Sequence, residues 1–310
     1  MSSFTSPVRP RAIQAWRERP RSKKPLTQRI TPWLFLIVPL ALLATFTFIP
    51  VVNMFWYSLT EWNGISKDKT WVGFENYIEL FTRPELFRVF FVSLYYFFAS
   101  FIQLGLALYF ATILSFSTRF RNLFKGILFF PYLINGVAIG FTFLYFFRPG
   151  GTLDATLAYF GLEQFQQLWL GDPDIINFSL AGTSVWRYMG LNFVLFLGAI
   201  QSIDPTLYEA AGLDGADKWQ QFRHIILPSI RPVVSLTFIL AISGSLSVFE
   251  IPYVMTGGAN GSETFVIQTI DYAFELRKTG LASAMAVVLL AIVLIVTVIQ
   301  RRLVPEEKGN

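Results

Sequence analysis

Apolar residues in this chain fall into six long runs, which are separated from one another by shorter polar segments. Four runs contain no charged residue, and the other two contain one each, Arg187 and Glu250. A helix needs roughly 20 mostly apolar residues to cross the hydrocarbon core of a bilayer, and every run is long enough. The pattern therefore predicts six transmembrane helices, at residues 31–60, 89–118, 126–147, 175–203, 232–256 and 279–300.

The polar segment between the fourth and fifth runs, residues 204–228, carries the signals of two short helices. Asp204 followed by Pro205 predicts a helix start, because an Asp side chain caps free backbone N–H groups and proline suits the first helical position. Gly215 predicts the left-handed backbone conformation that ends such a helix. The first short helix is therefore expected between Pro205 and Gly215.

A second short helix is expected directly after the first. Asp217 and Gln220 have the spacing of a capping box, in which each side chain bonds the backbone of the other residue. Pro228 has no backbone N–H and is expected to end this helix. Four large apolar residues would share one face, namely Trp219, Phe222, Ile225 and Ile226. Two amphipathic helices at a membrane surface predict a structure that fits a cleft in a partner protein.

The composition is typical of a protein embedded in a membrane. Apolar residues make up 54% of the chain and charged residues 15%, against roughly 25% charged residues in soluble domains. The chain contains no cysteine, which excludes disulfide bonds, thiol catalysis and thiolate metal sites. The one histidine, His224, is not expected to bind a metal ion. We predict an all-helical protein that crosses the membrane several times.

The distribution of Lys and Arg predicts how the spans are oriented, since cytoplasmic loops are enriched in basic residues. With the N-terminus inside, the inner segments hold 17 of the 25 basic residues and the outer segments hold 7, while Arg187 lies within a span. Both termini and segment 204–228 are therefore expected in the cytoplasm. The inner segments are 1–30, 117–125, 202–231 and 301–310, and the outer segments are 61–88, 148–174 and 257–278.

Three regions are expected along the chain. Residues 1–30 are rich in Pro and Arg and cannot form a core, so they predict a disordered basic tail, which either only sets the topology or also contacts anionic lipid. Residues 31–303 form the transmembrane domain, whose first run is too long for a signal-peptide core and is expected to remain as an anchor. Residues 304–310 form a short cytoplasmic tail.

Signatures of catalysis and nucleotide binding are absent from the sequence. No G-x-x-x-x-G-K-[ST] loop, H-E-x-x-H pair or nucleophile elbow occurs, and the glycine-rich stretch at residues 257–261 lacks the lysine of a phosphate-binding loop. The chain is therefore not expected to be an enzyme, and it is expected to bind no cofactor, metal ion or nucleic acid itself.

A longer motif within segment 204–228 resembles a known family. The pattern E-A-A-x3-G-x9-I-x-L-P is the EAA motif of the inner-membrane permease subunits of binding-protein-dependent ABC importers. Every defining position is present, as Glu209, Ala210, Ala211, Gly215, Ile225, Leu227 and Pro228. Other stretches resemble the carbohydrate branch of that family and the group that includes the larger maltose permease, and they lie at residues 71–77, 129–132, 197–203, 214–216, 219–222 and 253–258.

The resemblance implies a multi-subunit importer in a prokaryotic inner membrane. It implies a second homologous permease, an extracytoplasmic solute-binding protein, and a dimer of ATPase subunits that carry ATP and magnesium. In the family, the EAA helices sit in a groove of the ATPase and transmit its closure to the spans. The outer segments 148–174 and 257–278 either bind the solute-binding protein or merely anchor at the membrane surface, and the first is expected to contain a short amphipathic helix.

The resemblance also implies where the cargo passes. Alignment with the larger maltose permease places its sugar-contacting positions in the fourth and fifth spans, at Ser184, Arg187, Tyr188, Leu191, Ser243, Gly244 and Ser247. Hydroxyls and an aromatic ring suit a sugar, although Ser243, Gly244 and Ser247 could instead form a small-residue packing face. Arg187 and Glu250 either both line the path or pair with each other, since a charge within a span is costly against lipid.

Other polar and helix-bending residues in the spans have more than one interpretation. Gln103, Asn135 and Asn192 suit interhelical hydrogen bonds as well as ligand contacts, and Pro131 and Pro252 could bend their helices. We predict a permease subunit for the ATP-driven import of a carbohydrate, a di- or oligosaccharide. The alternatives are a polyol or glycerol phosphodiester permease and, in a different class, a stand-alone transporter or channel.

Overall fold

The computed structural model describes residues 26–116 and 121–303 of the chain. These residues separate into two compact units, and the division falls between Asn53 and Met54. The predicted tail at residues 304–310 and most of the tail at residues 1–30 lie outside the described residues. The described helix begins at Leu26, before the expected boundary at residue 31.

Among the described residues, the first unit consists of most of one long apolar helix, whose last residues belong to the second unit. Helix α1 (Leu26–Leu43) leads into a π-helical turn (Ala44–Phe48), and helix α2 (Ile49–Tyr57) continues from that turn. Pro50 follows the wide turn by two residues. A proline removes one backbone donor and clashes with the carbonyl four residues earlier, and a wider turn relieves both effects.

The second unit begins with a small subdomain that includes two short strands. Strand β1 (Thr60–Glu61) pairs antiparallel with β2 (Thr70–Trp71), and the short helices α3 (Glu75–Thr82) and α4 (Pro84–Arg88) follow. The Asn76 amide donates to the backbone oxygens of Ser58, at 2.9 Å, and Thr60, at 3.0 Å. These bonds fasten α3 to the end of the first apolar run.

The core of the second unit lies between two long helices. A 3₁₀ turn (Val89–Val92) leads into α5 (Ser93–Ser115), which packs along α9 (Ile176–Gln201). Ala107 and Ala111 of α5 are fully buried, and their small side chains let the two backbones approach each other. The buried apolar cluster at this contact also contains Leu114, Phe193, Phe196, Leu197, Ile200, Ile226 and Ile230.

The third apolar run, predicted as one span at residues 126–147 that Pro131 could bend, is sharply broken and counts as one candidate span. It forms α6 (Arg121–Leu133) and α7 (Gly136–Phe147), which meet at an angle of 96°. The break follows Pro131 by a few residues, and Asn135 caps the new helix by accepting a hydrogen bond from the Val137 N–H at 2.9 Å. Proline weakens the first helix and the cap stabilises the start of the second.

The outer segment after the third run holds one short helix, α8 (Thr152–Tyr159), and a 3₁₀ turn (Glu163–Phe165). A short helix was predicted here, but its buried residue is polar. The Asp154 carboxylate accepts hydrogen bonds from the Gly150 N–H at 2.9 Å and from the Trp169 indole N–H at 2.8 Å. A carboxylate therefore organises this segment from within.

The rest of the chain forms the helical hairpin at residues 204–228 and the last two runs. The elements are α10 (Pro205–Leu213), α11 (Lys218–Gln221), a π turn (Phe222–Ile226), α12 (Leu227–Ser229), α13 (Arg231–Leu246), α14 (Glu250–Thr256), a 3₁₀ turn (Ala259–Gly261), α15 (Phe265–Phe274) and α16 (Thr279–Leu303). Pro228 does not end the second short helix as predicted. A π turn again precedes the proline by two residues and lets the helix continue to Ser229.

Within the described ranges, four helices are long and apolar enough to cross a membrane, and the bent pair α6 and α7 gives a fifth candidate. The four are Trp33–Tyr57, Pro84–Ser115, Arg231–Thr256 and Thr279–Arg302. Helix α9 has 26 residues, about 39 Å at the usual rise, but Arg187 and its polar neighbours lower its hydropathy. The count of six spans stays a prediction.

Candidate functional site

A cavity of about 480 Å³ lies between α5, α9 and the α13–α14 junction, and we call it the central cavity. Six of the residues predicted to line the cargo path face it, namely Ser184, Tyr188, Leu191, Gly244, Ser247 and Glu250. The fifth run is interrupted beside the cavity, because α13 ends at Leu246 and α14 begins at Glu250. At this junction Ser245, Ser247 and Glu250 line the cavity.

Arg187 and Glu250 meet at the edge of the central cavity. An Nη1 atom of Arg187 donates to Oε2 of Glu250 at 2.5 Å, and the Arg187 guanidinium also lies 5.0 Å from the centre of the Tyr188 ring. The Arg187 side chain is 11% exposed and that of Glu250 38%. The two residues pair, as one alternative predicts, and Glu250 also lines the cavity, as the other predicts.

The break in the third run packs against this ion pair. A Cβ atom at Gly136 would overlap the ends of both the Arg187 and Glu250 side chains, so only glycine fits beside the pair as it stands. Gly136 is also the first residue of α7. The start of α7 therefore lies directly against the ion pair.

One predicted path residue lies elsewhere. The Ser243 hydroxyl is 3.5 Å from the Thr297 hydroxyl of α16, and Ser243 is not among the residues that line the central cavity. Its neighbour Gly244 does line the cavity. Successive helical residues differ by about 100° around the axis, which separates these two positions.

The other wall of the central cavity was not predicted. Helix α5 contributes Tyr96, Ala99, Ser100 and Gln103, and sequence reasoning had singled out Gln103 alone, without choosing between a ligand contact and helix packing. The signal was the spacing of Tyr96, Ser100 and Gln103, because steps of four and three residues place side chains on one helix face. The sequence does not show which other helix this face of α5 packs against.

The second functional region is the helical hairpin at residues 204–228, whose caps and central turn match the prediction. The Asp204 carboxylate accepts a hydrogen bond from the Thr206 N–H at 2.9 Å, and this bond lowers the pKa of the Asp204 carboxyl. Asp217 and Gln220 form the reciprocal capping box, with bonds of 2.7 and 2.8 Å. Gly215 has φ of 77°, the left-handed conformation expected between the two helices.

The hairpin is anchored at one end and exposes apolar residues at the other. Ile226 and Ile230 are buried against the core between α5 and α9, whereas Leu213 is 90% exposed and Trp219 is 65% exposed. Among the EAA-motif residues, five are exposed and two half-buried, and the latter are Ala211 and Ile225. The exposed ones are Glu209, Ala210, Gly215, Leu227 and Pro228. Large apolar side chains on a protruding hairpin are typical of an interaction surface.

Segments assigned to the same side of the membrane lie together. On the hairpin side, the Gln201 amide oxygen lies within hydrogen-bond reach of both Arg121 and Lys125. A smaller cavity of about 380 Å³ lies there, lined by Arg121, Lys218 and Tyr208 among others. At the other end, the Asn260 amide donates to the Leu170 carbonyl at 2.9 Å, which joins two outer segments.

Two carboxyl groups at or near α15 are held at raised pKa values. Partial burial raises the pKa of Glu263, and the nearby Asp271 carboxylate raises it further. Partial burial also raises the pKa of Asp271, with a second contribution from Glu275. The surface near α15 therefore carries clustered acids that repel one another.

Comparison with known proteins identifies the family to which this chain is similar. Residues 103–308 match the family described as the binding-protein-dependent transport system inner membrane component. The probable ABC transporter permease protein YurN of Bacillus subtilis is 34% identical, over 88% of this chain and 96% of its own length. The diacetylchitobiose uptake system permease protein NgcF of Streptomyces coelicolor is 32% identical, over 89% of this chain and 83% of its own.

The multiple sugar-binding transport system permease protein MsmF of Streptococcus mutans is also similar, at 30% identity over 87% of this chain and 94% of its own length. Among solved structures, a bacterial ABC transporter involved in the import of the acidic polysaccharide alginate matches with a TM-score of 0.80. That match covers 96% of this chain and all of the other, at 18% identity. It supports the same fold.

Proposed function

This chain belongs to the family of binding-protein-dependent transport system inner membrane components, and we propose that it is the permease subunit of an ABC importer for a neutral di- or oligosaccharide. The cargo would be delivered by an extracytoplasmic binding protein and moved by ATP hydrolysis on partner subunits. Relatives whose names refer to diacetylchitobiose and to multiple sugars support a carbohydrate.

The observation that carries the cargo class is the charge balance at the central cavity. Glu250 is the only charged residue among those that line it in the described part of the chain, and Arg187 neutralises Glu250 at 2.5 Å. An anionic cargo would meet a carboxylate and no unpaired cation. The hydroxyls and Tyr188 suit the polar edges and apolar ring faces of a neutral sugar.

The coupling role rests on the helical hairpin. It carries all the defining residues of the EAA motif, it is fixed by short-range caps, and it exposes Leu213 and Trp219. A rigid hairpin anchored by Ile226 in the core between α5 and α9 can move those helices when a partner moves the hairpin. We infer that the ATPase subunits bind this surface and that a second permease completes the path.

The test is uptake by the complete complex in proteoliposomes, with the cognate binding protein and ATP. Labelled maltose, trehalose and diacetylchitobiose are compared with an alginate trisaccharide, with glycerol and with glycerophosphoglycerol. We expect ATP-dependent uptake of at least one neutral di- or oligosaccharide and none of the two anions. Preferential uptake of an anion or of glycerol would contradict the proposed cargo, and uptake without the ATPase would favour a stand-alone transporter.

The coupling proposal has its own test on the exposed apolar residues. Replacing Leu213 and Trp219 together by serine should abolish ATP-driven uptake and reduce the amount of ATPase that copurifies with the permease. A matched control replaces Leu94 and Phe98 of α5 by alanine, because both are exposed apolar residues far along the chain from the hairpin. Undiminished uptake by the hairpin variant would overturn the coupling role.

A further inference from the structure

The central cavity has hydrogen-bond acceptors on one side and unused donors on the other. Most of its serines already donate to backbone oxygens within their own helices. The bonds run from Ser184 to Leu180 at 3.3 Å, from Ser245 to Ile242 at 2.7 Å, from Ser247 to Ser243 at 2.6 Å and from Ser100 to Phe97 at 2.7 Å. Those hydroxyl oxygens can still accept, but their protons are committed.

The buried polar side chains that line the cavity and make no hydrogen bond among the described residues lie on α5. Tyr96 is 4% exposed, and its buried hydroxyl has no hydrogen-bond partner among the described residues. Gln103, two helical turns further along, is 8% exposed, and within the described part of the chain its side-chain amide also makes no hydrogen bond. Both residues line the central cavity.

A buried hydroxyl without a hydrogen-bond partner lowers the stability of the protein, so a tyrosine at position 96 needs a reason. Burying a polar group without a partner destabilises a protein, and a phenylalanine would fill the same space at Tyr96 without that cost. The apolar neighbours Ile176, Leu180, Ile251 and Met255 would accept a plain ring. A ligand that brings an acceptor oxygen into the cavity would satisfy the hydroxyl.

We propose that Tyr96 and Gln103 of α5 form the donor wall of the sugar site, opposite the acceptor wall made by the α9 and α13 serines and Glu250. A sugar carries hydroxyl groups that both donate and accept, together with ring and bridge oxygens that only accept. The two walls therefore complement it: sugar hydroxyls donate to the serines and Glu250, and sugar oxygens accept from Tyr96 and Gln103. This inference rests on the proposed function, because it assumes a carbohydrate cargo.

The test is Tyr96→Phe, which removes one hydroxyl and little else. The probe is whichever of labelled maltose, trehalose or diacetylchitobiose the wild-type complex takes up fastest, and its retention by the vanadate-trapped complex gives an apparent Kd. Loss of one hydrogen bond should raise this Kd about two- to tenfold and lower the sugar imported per ATP hydrolysed. Gln103→Leu should act in the same direction.

Thermal stability separates a ligand contact from a structural role. Removing an unpaired buried hydroxyl should leave the melting temperature of the sugar-free complex unchanged or raise it, while removing a structural hydrogen bond would lower it. The matched control is Tyr95→Phe on the same helix, because Tyr95 packs edge-on against Phe178 and is not among the residues that line the central cavity. That control should retain the wild-type Kd.

The outcomes separate this inference from the proposed function. If the wild-type complex imports and retains none of the neutral sugars, the proposed function fails. If the wild type does so and Tyr96→Phe and Gln103→Leu both keep its Kd, the donor wall is wrong and the function stands. A lower melting temperature of Tyr96→Phe with an unchanged Kd would likewise overturn the donor wall in favour of a structural hydroxyl.

Discussion

The helical hairpin at residues 204–228 and the central cavity are both polar parts of an apolar chain, yet they are held together in different ways. The stabilising bonds of the hairpin join residues two or three positions apart, such as Asp204 with Thr206 and Asp217 with Gln220. The ion pair at the cavity joins Arg187 and Glu250, which are 63 positions apart. The hairpin is specified locally, whereas the cavity exists only once distant helices pack.

This difference assigns the two regions different mechanical properties. A locally capped hairpin can keep its shape while its surroundings move, which suits an element that transmits force from a partner. A cavity whose polar groups come from four separate helices changes its polar lining when those helices shift. Substitutions at the cavity should therefore affect folding and cargo together, and substitutions at the hairpin should affect coupling first.

The largest expected effect is the reversal of one charge at the cavity. Arg187→Glu places two carboxylates together and should lower the free energy of unfolding by up to about 3 kcal/mol. This is the low end of the range for a broken buried pair, because the Glu250 side chain is 38% exposed. Glu250→Arg should act similarly. The measurements are the melting temperature in detergent and ATP-driven uptake in proteoliposomes.

The double variant, Arg187→Glu with Glu250→Arg, separates packing from cargo contact. It should recover most of the melting temperature, since the pair re-forms, but not the full uptake rate, because an arginine would then face the cavity. Full recovery of uptake would mean that the pair is purely structural. Failure to recover the melting temperature would contradict the pairing itself.

The next effect tests the close approach of α7 to the pair. Gly136→Ala adds a Cβ atom where the ends of Arg187 and Glu250 lie, and overpacking of this kind costs about 1–3 kcal/mol. Both obstructing groups are ends of flexible side chains, so the ion pair should shift rather than the backbone. We expect a lower melting temperature and slower uptake.

Gly126→Ala is the matched control for this substitution. Gly126 lies in α6, before the break, and an added Cβ atom there meets no other group within 4 Å. This variant should keep both the melting temperature and the uptake rate of the wild type. Equal losses in the two variants would show that glycine is needed along the broken span for its flexibility and not for the space beside the pair.

A smaller effect is expected at the turn of the hairpin. Gly215→Val forces a β-branched residue into a left-handed conformation with φ of 77°, at a cost of about 1–2 kcal/mol, although the space around it is open. Uptake and binding-protein-stimulated ATP hydrolysis should fall together, while the melting temperature of the whole complex changes little. Gly215→Asn has a side chain of similar size that tolerates this conformation and should retain most of the coupling.

The smallest effect concerns the cap at the start of the hairpin. The bond from the Thr206 N–H lowers the pKa of the Asp204 carboxyl, so the charged cap stabilises α10 above the ordinary Asp pKa and is lost as the pH falls through the lowered value. Hydrogen exchange at Thr206, corrected for the intrinsic rate, should show this loss of protection. Asp204→Asn keeps an acceptor that does not titrate, so its corrected protection should stay flat with pH.

The local features of the hairpin could be predicted because their determinants are adjacent in sequence. Asp204, Gly215 and the Asp217–Gln220 box take the predicted conformations. The wrong prediction was that Pro228 ends the helix. Proline was treated as a stop signal, whereas the preceding π turn accommodates both the missing donor and the ring.

The cavity could be predicted only in part, since helix faces are periodic in sequence but their neighbours are not. The α9 positions Ser184, Tyr188 and Leu191 lie on the cavity, but Ser243 contacts α16. The break before Gly136 was predicted only as a bend at Pro131, because composition does not show how sharply an apolar stretch of that length is broken. Tyr96 was missed because a tyrosine in an apolar run is ordinarily a packing residue.

The π turn at Phe222–Ile226 determines the direction in which the following side chains point around the helix axis. A π turn holds one more residue than an α turn, and one residue corresponds to about 100° of rotation around the helix axis. Without the wide turn, Ile226 and Ile230 would rotate away from the core between α5 and α9. In a relative without this proline, deleting one residue before the anchor would turn its two isoleucines back toward the core. We therefore expect one-residue insertions or deletions in this segment to occur together with a change of the residue at position 228.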